Sequence, residues 1–116
     1  MSAETPTSLS ERDFEAAADR TLNAMARALD ALEGDLEVEL SMGILSIELP
    51  DGTTYVVNSH RAAKQIWMAA ERTAWHFDLE GDVWRAKKSG DELWSTVAAT
   101  LSKKLGRSVE LSGREG

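Results

Sequence analysis

The chain contains no cysteine among its 116 residues. That absence excludes a disulfide framework, a thiolate zinc site and direct cysteine ligation of an iron–sulfur cluster. Any metal must therefore sit on oxygen or imidazole. No apolar run reaches the length of a membrane span or of a secretory leader core. The opening MSAETPTSLS holds no base, which the targeting patterns require; it reads as a loose tail on a cytoplasmic protein. Histidine is limited to His60 and His76, the first expected on a loop and the second on a strand. There is no Gly-rich phosphate loop and no histidine pair at helical ligand spacing. Catalysis is not expected, and each histidine reads as a structural or surface group.

Basic residues are scarce in one half of the chain. Residues 1–52 hold twelve acids and three bases, a net of −9, whereas residues 53–116 hold eight acids and ten bases, a net of +2. Duplex nucleic acid and anionic membrane both need a positive footprint, so neither suits the acidic half. Cations or a basic protein surface do.

What is present suffices for one domain. Hydrophobic residues make up 42% and charged residues 28%, an ordinary globular balance. Between Leu9 and Leu32 the apolar residues Phe14, Ala18, Leu22, Met25, Leu29 and Leu32 recur at steps of three and four, which predicts an amphipathic helix. Ser8 or Ser10 caps its start and Gly34 ends it. The period then becomes two. Strands are expected over Leu36–Leu40, Ile44–Leu49, Tyr55–Val57, Gln65–Met68, Trp75–Leu79 and Val83–Lys87, with turns at Met42-Gly43, Asp51-Gly52 and Gly81-Asp82. A capping box at Ser89 and Glu92 opens a second helix from about Asp91 to Leu105, and Val109 and Leu111 suggest a short closing strand. Two helices with one apolar stripe each are most simply buried on one face of the sheet. The expected fold is α+β, a two-layer sandwich with two helices on an antiparallel sheet of about six strands. The domain is expected over residues 9–112, with tails at 1–8 and 113–116.

On a helical wheel with Phe14 at zero and about 100° per residue, Glu15 and Glu33 fall near 100°, Asp19 near 140° and Asp30 near 160°. These acids share a flank, and Asp35, Glu37 and Glu39 continue it into the first strand. Asp19 and Asp30 stand roughly 16 Å apart along the axis, so the acids form a ridge that cannot close around one ion. Hard cations favour such oxygens, and binding without a preformed shell is weak and water-rich. A solubility face remains the alternative. Trp84 and Trp94 read as core residues. Strand alternation puts Ile66 and Met68 on one face and Gln65 and Trp67 on the other; if the first pair meets the helices, Trp67 faces solvent as a contact anchor, the alternative being that the phase is reversed or Trp67 is shielded by neighbours.

The stretch Asn58-Ser59-His60-Arg61-Ala62-Ala63-Lys64-Gln65-Ile66-Trp67-Met68 resembles the signature of the frataxin family. Trp75-His76-Phe77-Asp78-Leu79-Glu80-Gly81-Asp82-Val83-Trp84 is similar to the strand–turn–strand that follows it there, and Ser89-Gly90-Asp91-Glu92-Leu93-Trp94 to the opening of the second helix. Asp35–Glu39 and Ile44–Ile47 resemble the first two strands, so the likeness runs from about Phe14 to Leu111. The family signature has Gln where His60 stands and Pro where Ala62 stands, and bacterial members often place acids where Ala26, Arg27 and Ala31 lie.

The resemblance implies an iron-binding accessory protein of iron–sulfur cluster assembly, acting as iron donor or sensor and as modulator of a cysteine desulfurase–scaffold complex. Carried onto this chain, Fe²⁺ or Fe³⁺ would be held exchangeably by Glu15, Asp19, Asp30, Glu33, Asp35 and Glu37, and Asn58, Gln65, Trp67 and Glu39 would contact the desulfurase and the scaffold protein. A monomer that forms oligomers with iron is implied. The alternative is an acidic adaptor or inhibitor with incidental metal binding; a small metal-dependent hydrolase or ferroxidase ranks below both.

Overall fold

The structure, a computed structural model, describes residues 10–32 and 36–111. Helix α1 spans Glu11–Asp30. Ser10 caps it, its Oγ accepting the Asp13 backbone N–H at 3.0 Å and so satisfying one of the orphan donors of a helix start. Phe14, Ala18, Leu22, Met25 and Leu29 form the buried stripe that their spacing predicts. The helix ends earlier than expected, at Asp30, where Ala31 in right-handed conformation is the cap and its N–H bonds back to the Arg27 and Leu29 carbonyls, so the end does not wait for a glycine; the cap at Ser8, Gly34 and the tails at 1–8 and 113–116 lie outside the described residues.

Six strands follow: β1 Glu37–Ser41, β2 Ile44–Glu48, β3 Thr54–His60, β4 Gln65–Ala70, β5 Thr73–Glu80 and β6 Val83–Arg85. They form one antiparallel sheet whose spatial order equals their chain order. Leu45, Ile47, Tyr55, Val57, Ile66, Met68, Phe77 and Trp84 point to the helix side and are buried. Fully burying each such side chain contributes roughly 1.5–3 kcal/mol, so their strict alternation fixes which face of the sheet is inner. The expected α+β sandwich is the observed one.

Helix α2 spans Leu93–Leu105 and ends at Gly106, whose φ of 71° is the left-handed conformation glycine adopts without penalty. Its start differs from expectation. Glu92 is the cap itself, its carboxylate accepting the N–H groups of Trp94 and Ser95 at 3.0 and 3.2 Å, while Ser89 only tightens the preceding turn by accepting the Asp91 N–H. A carboxylate long enough to span two donors replaces the expected Ser–Glu box.

Two further expectations are corrected. The segment at Val109 and Leu111 is no strand; Val109 is buried and its N–H donates to Ser102 Oγ at 2.8 Å, so α2 holds it through a side chain in place of a ladder. His60, expected on a loop, is the last residue of β3, paired with Gln65. The helices are tied to particular ends of the sheet. Glu15 of α1 forms an ion pair with Arg61 in the β3–β4 turn, and Lys104 of α2 binds Asp51 at 2.9 Å and Glu71 at 3.0 Å in the turns at the opposite end. Trp84 donates its indole N–H to Thr21 Oγ1 at 3.0 Å and meets Phe14 edge-on at 5.9 Å, joining β6 to α1.

Candidate functional site

Strand β1 lies at the edge of the sheet, and its alternation divides the acids around it. Val38 and Leu40 turn inward against the core, so Glu37 and Glu39 project from the outer face. Asp19 and Asp30 stand on the neighbouring flank of α1, exposed, and line one groove with Val38 and Leu40. The ridge read from the sequence is therefore two rows, one on either side of the β1 edge. Glu33 and Asp35 fall outside the described residues. Glu15 is set apart from the others because Arg61 takes its carboxylate.

Register adds an acid that sequence reasoning missed. Glu48 of β2 stands directly opposite Glu37, and both are exposed. Like charges facing each other across strands destabilise the pair, by a few tenths of a kcal/mol. The signal was available in the Met42-Gly43 turn: a two-residue loop pairs positions that sum to a constant, which places residue 48 opposite residue 37. Among the described residues no three acids or histidines converge closely enough to cage an ion. Each ridge carboxylate can offer one or two oxygens to a cation, with water supplying the rest.

The outer face of the sheet carries a different construction. Trp67 is half-buried on that face, between two imidazoles. The His60 ring lies 3.8 Å from it at 13°, and the His76 ring 4.3 Å away at 17° on the other side. Trp67 is thus outward, with the strand in the expected phase, and at the same time partly shielded by its neighbours. Its indole N–H donates to Gln65 Oε1 at 2.8 Å, and Gln65 Nε2 donates to Asp78 Oδ1 at 3.1 Å. Gln65 therefore spends its amide in orienting Trp67. Asn58 stands beside Trp67 in the adjacent strand and donates only to the neighbouring Ser59 carbonyl. Across the strands, Ile44, Asn58, Trp67 and His76 make one continuous row. His60, His76 and Asp78 were not singled out as site residues, because their role depends on strand register and not on any local motif.

A second polar cluster lies at the far end, around Lys104. The Thr53 backbone N–H and then the Lys104 ammonium hold the Asp51 carboxyl down from its usual 3.8 to about 2. Lys104, then Tyr55, lower Glu71; the two carboxylates in turn raise Lys104. Desolvation, with the Glu71 hydrogen bond, raises Tyr55. These groups brace α2 against two turns. Among the described residues no helix is long and apolar enough to cross a membrane.

Residues 7–107 match the family model of the frataxin-like domain. The iron–sulfur cluster assembly protein CyaY of Dechloromonas aromatica is 34% identical over 104 residues, covering 89% of this chain and 99% of that protein. Among solved structures, the frataxin of Psychromonas ingrahamii superposes with a TM-score of 0.83 at 20% identity, over 89% of this chain and 98% of its own. The trimeric frataxin of Saccharomyces cerevisiae, complexed with ferrous iron, superposes with a TM-score of 0.63 at 26% identity, over 92% and 94%. With a family match over most of its length and a relative 34% identical along nearly the whole of both proteins, the chain belongs to the frataxin-like family.

Proposed function

We propose that this chain is a cytoplasmic accessory protein of iron–sulfur cluster assembly, not itself an enzyme, that carries iron exchangeably and modulates a cysteine desulfurase–scaffold complex. The observation that carries this reading is the 34% identity to an iron–sulfur cluster assembly protein over nearly its whole length, in a chain whose acids line the α1–β1 edge. Iron is cargo here. Asp19 and Asp30 on one side of the β1 edge and Glu37 on the other, with Glu33 and Asp35 between them in the chain, supply single hard oxygens in separate rows. That arrangement suits aquated, replaceable Fe²⁺ or Fe³⁺ better than a closed site. Glu15 contributes least, since binding iron there means displacing Arg61. Docking uses both faces of the edge. The acids attract a basic surface of the desulfurase, which speeds encounter and makes it salt-sensitive. Trp67, held by His60, His76 and Gln65, presents a rigid contact to the scaffold protein together with Asn58 and Glu39. The protein acts as a monomer that forms oligomers with iron.

Backbone NMR during titration with Fe²⁺ or paramagnetic Mn²⁺ tests the iron reading: broadening concentrated at residues 15–37 is expected, and broadening spread evenly over the surface removes it. In the docking test, Trp67→Ala and charge reversal at Asp35 and Glu37 each weaken binding to the cognate desulfurase complex about tenfold; unchanged affinity in both discards docking. A second reading, an acidic adaptor with incidental metal binding, is favoured by the lack of convergent ligands among the described residues. Even broadening together with tight desulfurase binding would select it. Reconstituted cluster assembly with and without the protein then gives the sign of its effect.

A further inference from the structure

The edge of β1 is built to receive another strand. Ser41 and Ile44 close the β1–β2 hairpin through a two-residue turn, and the Ser59 N–H bonds to the Gly43 carbonyl on the other side. In such a ladder the closing pair exchanges both backbone bonds and the alternate pairs do not. Ser41, Glu39 and Glu37 therefore bond to β2, while the N–H and C=O groups of Val38 and Leu40 point away from the sheet. No described residue outside the ladder bonds to either of them.

Above this edge, between β1 and α1, runs a groove of about 490 Å³. Leu22, Val38, Leu40 and Met42 give it an apolar floor, and Met42 is 96% exposed. Its rim is charged. Asp19 and Asp30 stand on its helix side, offset in part by Arg27, while Glu37 and Glu39 lie outside the groove, on the opposite face of the same strand. A second copy of this chain is a poor occupant, because antiparallel pairing along the whole of β1 sets Glu39 opposite a glutamate of the second copy, and like charges across strands repel. The same acids favour a strand bearing lysine or arginine.

We infer that β1 is a docking site for an extended basic segment of a partner protein, which adds to the sheet by pairing with Val38 and Leu40. Backbone bonds supply the affinity of such an addition and alternate side chains its selectivity. Here apolar residues of the incoming strand enter the groove under α1, and its bases meet Glu37 and Glu39. The proposal is independent of iron.

The test uses the full chain, ¹⁵N-labelled and iron-free at low salt, titrated with a synthetic peptide of alternating lysine and valine and with its glutamate-for-lysine analogue. Saturable shifts at residues 37–41, with hydrogen exchange at the Val38 and Leu40 amides slowed at least tenfold, are expected for the lysine peptide only. Shifts spread over the acids without slowing at those two amides mean diffuse adsorption and overturn the proposal, as does absence of binding. Glu37→Lys with Glu39→Lys should weaken the lysine peptide at least tenfold; a smaller change overturns the proposal. If that variant misfolds, Val38→Pro removes an N–H that bonds nothing in β2 and should abolish the slowing at Leu40; retained slowing refutes strand addition. All of these are read without iron or desulfurase, so failure leaves the iron and docking readings untouched.

Discussion

Trp67 owes its rigidity to one residue of its own strand and to two that a reading of that strand does not reach. Two imidazoles cover its faces and Gln65 holds its edge. Offset-stacked aromatic pairs contribute about 0.5–1.5 kcal/mol beyond burial, so His60→Ala should lower stability by about that amount in a denaturant titration and shift the Trp67 indole proton resonance. An unmoved resonance would mean the stack does not persist in solution. Thr21 offers a sharper case. Its hydroxyl is the acceptor for the buried Trp84 indole N–H, 63 residues away. Thr21→Val keeps the shape and removes the acceptor, and an orphaned buried donor costs about 1–3 kcal/mol. The same loss is expected in chemical and thermal unfolding, with the slope of the denaturant transition unchanged. The Glu15–Arg61 pair, by contrast, is largely exposed, and surface pairs of this kind contribute about 0–1 kcal/mol.

At the scale of elements, the helices and the facing of each strand were legible because they rest on a local period: steps of three and four for α1, steps of two for β2 to β5. Most cross-strand partners were not. The two-residue Met42-Gly43 turn allowed Glu48 to be counted opposite Glu37, but His76 reaches Trp67 across segments whose register no local motif sets. The caps show the same division, since Ser10 acts as its residue type predicts and Glu92 does not. The Met42-Gly43 turn gives a prediction of its own. Both residues have positive φ, 53° and 80°, the conformation of the type I′ hairpin turn, and methionine has no preference for it. Met42→Asn should therefore stabilise the protein by about 0.5–1 kcal/mol. Gly43 is the costlier position to exchange, because its φ of 80° strains any side chain and an added Cβ would also force Ser59 Oγ, 2.6 Å away, to turn aside. The brace at Lys104 predicts an acid response. Asp51 ionises near 2 when folded and near 3.8 when unfolded, so its stabilisation is complete above about pH 4 and is lost as pH falls toward 2; Glu71, lowered in the same direction, adds to the loss. The Thr53 N–H does most to hold Asp51 down and Lys104 comes second, so Lys104→Met should reduce this slope without abolishing it in melting curves recorded between pH 5 and pH 2.

For the whole molecule the governing quantity is where the charge lies. The net charge of −7 is concentrated around the β1 edge, on α1 and β2 as well as β1. Raising ionic strength from about 0.01 to 0.15 M shortens the screening length from about 30 to 8 Å. Salt should therefore raise the melting temperature of the free protein while weakening its association with a basic partner. Glu48→Gln should reproduce part of the first effect and reduce the further gain from salt. Equal salt response in the variant would place the repulsion elsewhere.

The order of the strands has a kinetic consequence. Each strand pairs with its neighbour in the chain, so the sheet can grow by successive hairpins whose loops are short to close. The distant step is the seating of α1 on β6, where Phe14 and Thr21 meet Trp84. That step waits for the last strand. During synthesis the first helix can settle on β1 and β3 as they emerge, but the part of its face around Phe14 and Thr21 stays uncovered until residue 84 leaves the ribosome.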